Sequence, residues 1–198
     1  MANVSFNPSL TTAPQNTFLA QTQGFVQGDF VDDPSSRMYL NSGVIDASVT
    51  QPVWGALAIQ ELVPANGDSS LGSTLKLATN DATTTGFSVF TQGYNMVIVP
   101  GNSVQTAQAG QTVPYFRLGS GARIRVKCSA ALAAAVESGQ ISQNVSWDFT
   151  NDQLIPYDSS NALNVKILSV NSNSKVVSYN SGTGAVTWVA GSAATILL

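Results

Sequence analysis

Histidine is absent from this 198-residue chain, cysteine occurs once (Cys128), and charge is scarce, with 8 Lys+Arg against 11 Asp+Glu. Proton transfer, metal ligation and nucleophile activation all need ionisable side chains held close together. Here such groups are few and scattered, so binding or building is expected rather than catalysis, with no cofactor and no resident metal. A lone cysteine cannot form an internal disulfide. In the alternating run Val126-Lys127-Cys128, with no histidine to activate it, Cys128 reads as a small core residue and not as a reactive thiol. The formal net charge of −3 argues against a nucleic-acid partner, whose phosphates must be neutralised by Lys and Arg. No apolar run approaches the ~20 residues of a membrane span, so no membrane partner is expected. Met1-Ala2-Asn3-Val4-Ser5 lacks the basic and apolar regions of a secretory signal, which points to synthesis in a cytoplasm.

What is present is apolar and neutral-polar. Hydrophobic residues make up 43% of the chain, enough for a substantial core. Only 10% are charged, against roughly 25% in a typical soluble domain, and Ser, Thr, Asn, Gln, Gly and Ala fill the difference. A surface with so little charge does little to keep copies apart, and a homo-oligomer, dimer or trimer, is expected.

The pattern along the chain is that of an all-β protein, a β-sandwich or barrel of short antiparallel strands with an extended N-terminal arm and at most one short helix. Residues 1–24 carry Pro8, Pro14, Asn7 and Asn16 among isolated apolar residues, without a sustained period, and read as the arm. Its Phe6 and Phe18, with Phe25 just beyond, are costly to leave in water at ~25 cal/mol per Å², which favours an arm pinned to its own domain or to a neighbouring subunit. Residues 25–198 form the β-rich domain, with a possible sub-boundary near 101–112. Within it, turn residues separate short apolar runs up to about residue 62, residues 64–73 read as a polar loop, and the continuous run Tyr94-Asn95-Met96-Val97-Ile98-Val99 reads as a strand buried on both faces. From 123 to 128 the period is two, Arg123, Arg125 and Lys127 on one face and Ile124, Val126 and Cys128 on the other. Residues 130–137 are the one helix candidate, capped by Ser129 and ended by Gly139. Two aromatic hairpins follow, one turning at Asn151-Asp152 and one through residues 180–184.

No constellation of side chains singles out a reaction. Asp29, Asp32 and Asp33 form the densest acidic cluster, but their spacing is not that of a calcium loop; turn or capping duty, metal binding and contact with a partner's basic residues remain its readings. Glu61, Glu137 and the aspartates offer no distinguished pair for glycoside hydrolysis, and Asp68, Asp81 and Asp152 follow turn residues. The lysines stand in no Ser-x-x-Lys context, and Gly119-Ser120-Gly121 lacks the rest of a phosphate-cradling loop. The ladder Arg123-Ile124-Arg125-Val126-Lys127 is either a solvated face or guarded edge, or a stripe that docks an acidic neighbour. Trp54, Trp147 and Trp188 read as core or sheet-face packing, with a sugar-binding platform as the alternative.

The segment Gln23-Gly24-Phe25-Val26-Gln27-Gly28-Asp29-Phe30, then Asp33-Pro34-Ser35-Ser36-Arg37-Met38, then Val44-Ile45-Asp46-Ala47-Ser48-Val49-Thr50-Gln51-Pro52-Val53-Trp54-Gly55, resembles the structural cement (capsid decoration) proteins of tailed bacteriophages. A fainter likeness continues through Gly139-Gln140, Trp147-Asp148 and the Gly-containing hairpin near the end. The chain departs from that pattern in its longer N-terminal arm and in the helix-like insert at 130–137. The resemblance implies a β-rich accessory protein of the virion that sits on the outer capsid surface, binds the major capsid protein in the assembled lattice and stabilises the phage head. A tail-tube or fibre-associated virion subunit and a carbohydrate-binding β-sandwich are the alternatives. The residues expected to meet a partner are Phe6, Phe18, Phe25, Arg37, Arg123, Arg125 and Lys127.

Overall fold

The computed structural model describes residues 25–31, 38–62, 73–90, 104–141, 143–159 and 162–198. They form an all-β protein with one α-helix. Five strands close a small barrel: β1 (Asn41–Ile45), β2 (Ala58–Leu62), β3 (Ser73–Leu77), β4 (Gly86–Ser88) and β5 (Thr112–Arg117), in ring order β1-β3-β2-β4-β5. Every neighbouring pair is antiparallel except β1 and β3, which run parallel with Val44 opposite Thr74. Closure leaves these strands no free edge.

The alternation of side chains then divides the interior. Ile59, Leu75, Val113 and Tyr115 point into the barrel with Trp54 and Leu57. Their chain neighbours Ala58 and Phe116, with Phe87 of β4, point outward into a second and larger core. The wall made by β2, β4 and β5 is therefore apolar on both faces, because successive strand residues face opposite ways.

The second core belongs to a five-stranded sheet of order β7-β8-β6-β10-β9. Its strands are β6 (Arg123–Cys128), β7 (Val145–Asp148), β8 (Gln153–Pro156), β9 (Lys166–Asn180) and β10 (Ala185–Leu197), and α1 (Ala130–Glu137) follows β6. Ser129 caps α1 by accepting from the Leu132 N–H at 3.2 Å, and Gly139 takes the left-handed conformation (φ +101°) just past the helix end. Leu132, Ala133 and Val136 lie on one face of α1 and are buried with Ile124, Val126 and Cys128. A T-shaped ring pair, Phe87 with Trp147 at 5.1 Å between centroids, joins barrel wall to sheet.

β9 and β10 are long, 15 and 13 residues. At its root the hairpin pairs with β6, Ala194 opposite Val126. Its outer part, Val177, Tyr179, Val186 and Trp188, packs on the barrel core, with Tyr179 5.5 Å from Trp54. Two register shifts, between Gly191 and Ala193 and between Thr195 and Ile196, supply the extra twist such a bend needs.

The strands are thus neither all short nor all antiparallel: besides β1 with β3, β6 meets β8 in parallel at Cys128 and Leu154. Ala107 bridges Val53, β5 closes the barrel on β1, and the second sheet begins with β6 at Arg123. The strand expected at Tyr94-Val99 lies outside the described residues, as does the arm, residues 1–24.

Candidate interaction site

Residues 25–31 hold the two sheets together. β6 and β9 flank β10; the segment meets β9 at Lys175 on its other edge and β6 along Arg123–Arg125, ahead of the point where Cys128 meets β8. On the β9 side Val26 bridges Lys175 in parallel, the Lys175 N–H donates to the Phe25 carbonyl (2.8 Å) and the Gln27 N–H donates to the Lys175 carbonyl (3.0 Å). On the β6 side Phe30 bridges Ile124, the Gly28 N–H donates to the Arg125 carbonyl (2.8 Å) and the Arg125 N–H to the Asp29 carbonyl (2.8 Å). The segment also crosses the barrel. The Phe90 N–H donates to the Gly28 carbonyl (2.9 Å), and Gly28 meets Gly55 backbone to backbone. A Cβ on Gly28 would stand 2.7 Å from the Gly55 Cα, and one on Gly55 would stand 2.6 Å from the Gly28 Cα. Gly28 also has φ +86°, so two independent constraints demand glycine there.

Gln27 fastens the same crossing from inside. Its side chain is buried; Nε2 donates to the Gly55 carbonyl (3.2 Å) and Oε1 accepts from the Val177 N–H (2.8 Å). One amide therefore satisfies a donor of the β9–β10 hairpin and an acceptor of the barrel, as buried polar groups require. Nothing in the local sequence marks Gln27 out.

The basic ladder is placed by this arrangement. β6 lies between β8 and β10, so it is not an exposed edge. Arg125 Nη1 donates to Asp29 Oδ2 at 2.9 Å, and its guanidinium lies 5.1 Å from the Phe25 ring centroid, within cation–π range. Lys127 Nζ donates to the Asn151 carbonyl in the β7–β8 turn at 2.9 Å. Arg125 and Lys127 do meet acidic neighbours, but those belong to their own chain: Asp29 for Arg125, Asp152 and Asp148 for Lys127. The structure thus brings Phe25 and Arg125 together, places Lys127 and Arg123 on the same strand face, and leaves Phe6, Phe18 and Arg37 outside the described residues, together with Asp32 and Asp33.

Burial governs the electrostatics at Lys127. It lowers the ammonium pKa despite the attraction of Asp152 and Asp148. It pushes the Asp152 carboxyl up to about 6, against the opposing pull of Lys127. Both shifts disfavour the charged form, the signature of a desolvation cost larger than the Coulomb gain. A small cleft of about 150 Å³ opens here, lined by Trp54, Lys127, Asn151, Asp152 and Tyr179 among others.

Two further polar contacts escaped the sequence. Turn duty at 80–83 falls to Asn80, whose Oδ1 accepts from the Thr83 N–H (2.9 Å); Asp81 instead reaches the second sheet and accepts from the Trp147 N–H at 3.1 Å. At the barrel, Glu61 takes two hydrogen bonds from Arg117 (2.6 and 2.7 Å) and one from Ser73. The Arg117 bonds, opposed by burial and aided by Ser73, hold the Glu61 carboxyl at about 2.

Trp54 and Trp147 are buried, and Trp188 is half-buried against the barrel core. Trp54 and Trp147 cannot present a ring face to a sugar. Cys128 is buried and burial pushes its thiol up to about 12, consistent with a core residue. Among the described residues no group of three or more His, Cys, Asp or Glu could hold a metal ion, and no helix is long and apolar enough to cross a membrane. The chain matches no family model, no curated protein and no solved structure.

Proposed function

We propose that the protein is a capsid decoration protein, which binds the assembled major capsid lattice of a phage head and stabilises it by adding interface. The observation that carries this reading is the exposed apolar run Met38, Tyr39 and Leu40, 83%, 55% and 37% accessible. It begins where the motif resembling cement proteins ends its second part and leads directly into β1. Met and Tyr are enriched in protein–protein interfaces while charged residues are depleted at interface cores, and residues 38–45 contain no charged side chain. The described part of the first motif, residues 25–30, supports the reading in another way: it hydrogen-bonds to both barrel and sheet and adds to the packing that joins them, which suits a protein that must carry load between neighbours. A partner that binds only the assembled lattice shifts assembly by mass action, with a standard contact of ~1,200–2,000 Å².

The test is addition of the purified protein to expanded, undecorated phage heads. Saturable binding and raised resistance of the heads to heat are expected. The double variant Met38→Asp/Tyr39→Ser is expected to keep its own melting temperature and to lose about tenfold or more in affinity, about 1.4 kcal/mol or more. Absence of binding by the unaltered protein refutes the proposal; full affinity in the variant removes the assigned surface.

A further inference from the structure

We infer that the cleft between Lys127 and Asp152 is a binding site for one neutral sugar ring, held through two neighbouring hydroxyl groups. Three separate parts of the fold line it: β6 supplies Lys127, the β7–β8 turn supplies Asp152, and β9 supplies Ser178 and Tyr179. Lys127 Nζ is fixed there by its bond to the Asn151 carbonyl at 2.9 Å, which takes one of the three donors an ammonium carries. The Asp152 carboxyl accepts no hydrogen bond among the described residues; burial and the charges of Lys127 and Asp148 are what act on it. Polar groups withdrawn from water call for partners, and the cleft leaves this half-buried pair room for more.

Complementarity selects the occupant. A hydroxyl both donates and accepts, so two adjacent hydroxyls can take a hydrogen bond from Lys127 and give one to Asp152. A free anion is disfavoured, because Lys127 shares its surroundings with the carboxyls of Asp152 and Asp148. A free cation meets Lys127 itself, and Asp148 is already spent on the turn, accepting from the Thr150 and Asn151 N–H groups at 2.9 and 3.1 Å. Burial disfavours the charged form of Lys127 and of Asp152 alike, which again suits a neutral guest. The half-buried Tyr179, backed by Trp54 at 5.5 Å, sets an aromatic wall beside the polar pair, the mixture that small-molecule sites use. At about 150 Å³ the cleft is well below the ~300–1,000 Å³ of pockets for drug-sized ligands, so a single ring is the limit. This inference does not depend on shell binding.

The experiment titrates the full isotope-labelled chain with glucose, galactose, mannose and N-acetylglucosamine, and with their methyl glycosides, and follows the backbone amide resonances. Saturable shifts at Asn151, Asp152, Ser178 and Tyr179 with at least one sugar are expected, at a Kd on the order of millimolar, while the amides of β3 stay unshifted. Lys127→Met keeps the apolar stem and removes the amine; it is expected to weaken binding about tenfold or more, as loss of a hydrogen bond to a charged group does. Ser178→Trp fills the cleft from an exposed strand position and is expected to abolish binding. Absence of saturable shifts with every sugar overturns the proposal, as does full affinity in either variant. Tighter binding of glycine, acetate or ammonium than of any sugar overturns it too, by showing a charged guest. The glycosides separate the two sources of such a ring: affinity equal to the free sugar's assigns the end of a glycan, and loss with the glycoside assigns the free sugar.

Discussion

Replacing Gly28 by alanine tests whether the crossing of residues 25–31 over Gly55 holds the molecule together. Two costs add. A non-glycine residue at φ +86° costs about 1–2 kcal/mol for the left-handed backbone. The new Cβ would stand 2.7 Å from the Gly55 Cα and 3.0 Å from its carbonyl carbon; these are backbone atoms that no rotamer change can move, and overpacking of this kind costs about 1–3 kcal/mol. The expected loss is about 2–5 kcal/mol, a fall of about 5–15 °C in Tm for a chain of this size. Gly119→Ala is the internal control, since Gly119 has φ +81° and a Cβ added there would meet nothing within 4 Å; it carries the backbone cost alone, about 1–2 kcal/mol. The difference between the two variants, read by calorimetry or denaturant unfolding, isolates the crossing. Gly55→Ala added to Gly28→Ala should be sub-additive by about 1 kcal/mol, because the first methyl has already parted the chains. Equal losses in Gly28→Ala and Gly119→Ala would refute a close-packed crossing.

Gln27→Ala leaves the Gly55 carbonyl and the Val177 N–H without their shared partner; at about 1–3 kcal/mol for a buried orphan group the expected loss is about 2–4 kcal/mol in urea unfolding, and a loss below about 0.5 kcal/mol would show that other contacts carry the joint. Asp152→Asn should act in a pH-dependent way. Burial raises the Asp152 carboxyl from 3.8 to about 6, so the folded chain binds this proton more tightly than the unfolded one. Its favourable contribution is complete below pH 3.8 and is lost as the pH rises through 6. The variant, which keeps a side chain that tolerates the turn's φ of +50°, should be about 1–2 kcal/mol more stable than the parent at about pH 7.5 and show no gain at about pH 4. A loss of stability at the higher pH would mean that attraction to Lys127 outweighs burial.

These perturbations all fall on contacts that no local reading of the chain could supply. Local chemistry did determine a good deal. Ser129 and Gly139 bound a helix whose cap bond spans three residues, and the alternation from Arg123 to Cys128 decided which side chains of β6 are buried. Asn151-Asp152 and residues 180–184 turn the two hairpins because the strands they join lie next to each other in the chain. These features rest on backbone preferences and neighbours within a few positions, which the order of residues contains.

Which surfaces those strands meet was decided only in three dimensions. Arg125 and Lys127 have the same pattern whether they face solvent, a partner or their own chain; only the folded structure brings Asp29, 96 positions away, to Arg125 and the β7–β8 turn to Lys127. Gln27 becomes a strut only because Gly55 and Val177, 28 and 150 positions away, arrive on its two sides. Composition and periodicity made this an all-β protein with a buried cysteine and one helix. The joining of barrel to sheet came from tertiary packing, since hydrogen bonding and steric fit act through space while sequence patterns report only on what is near along the chain.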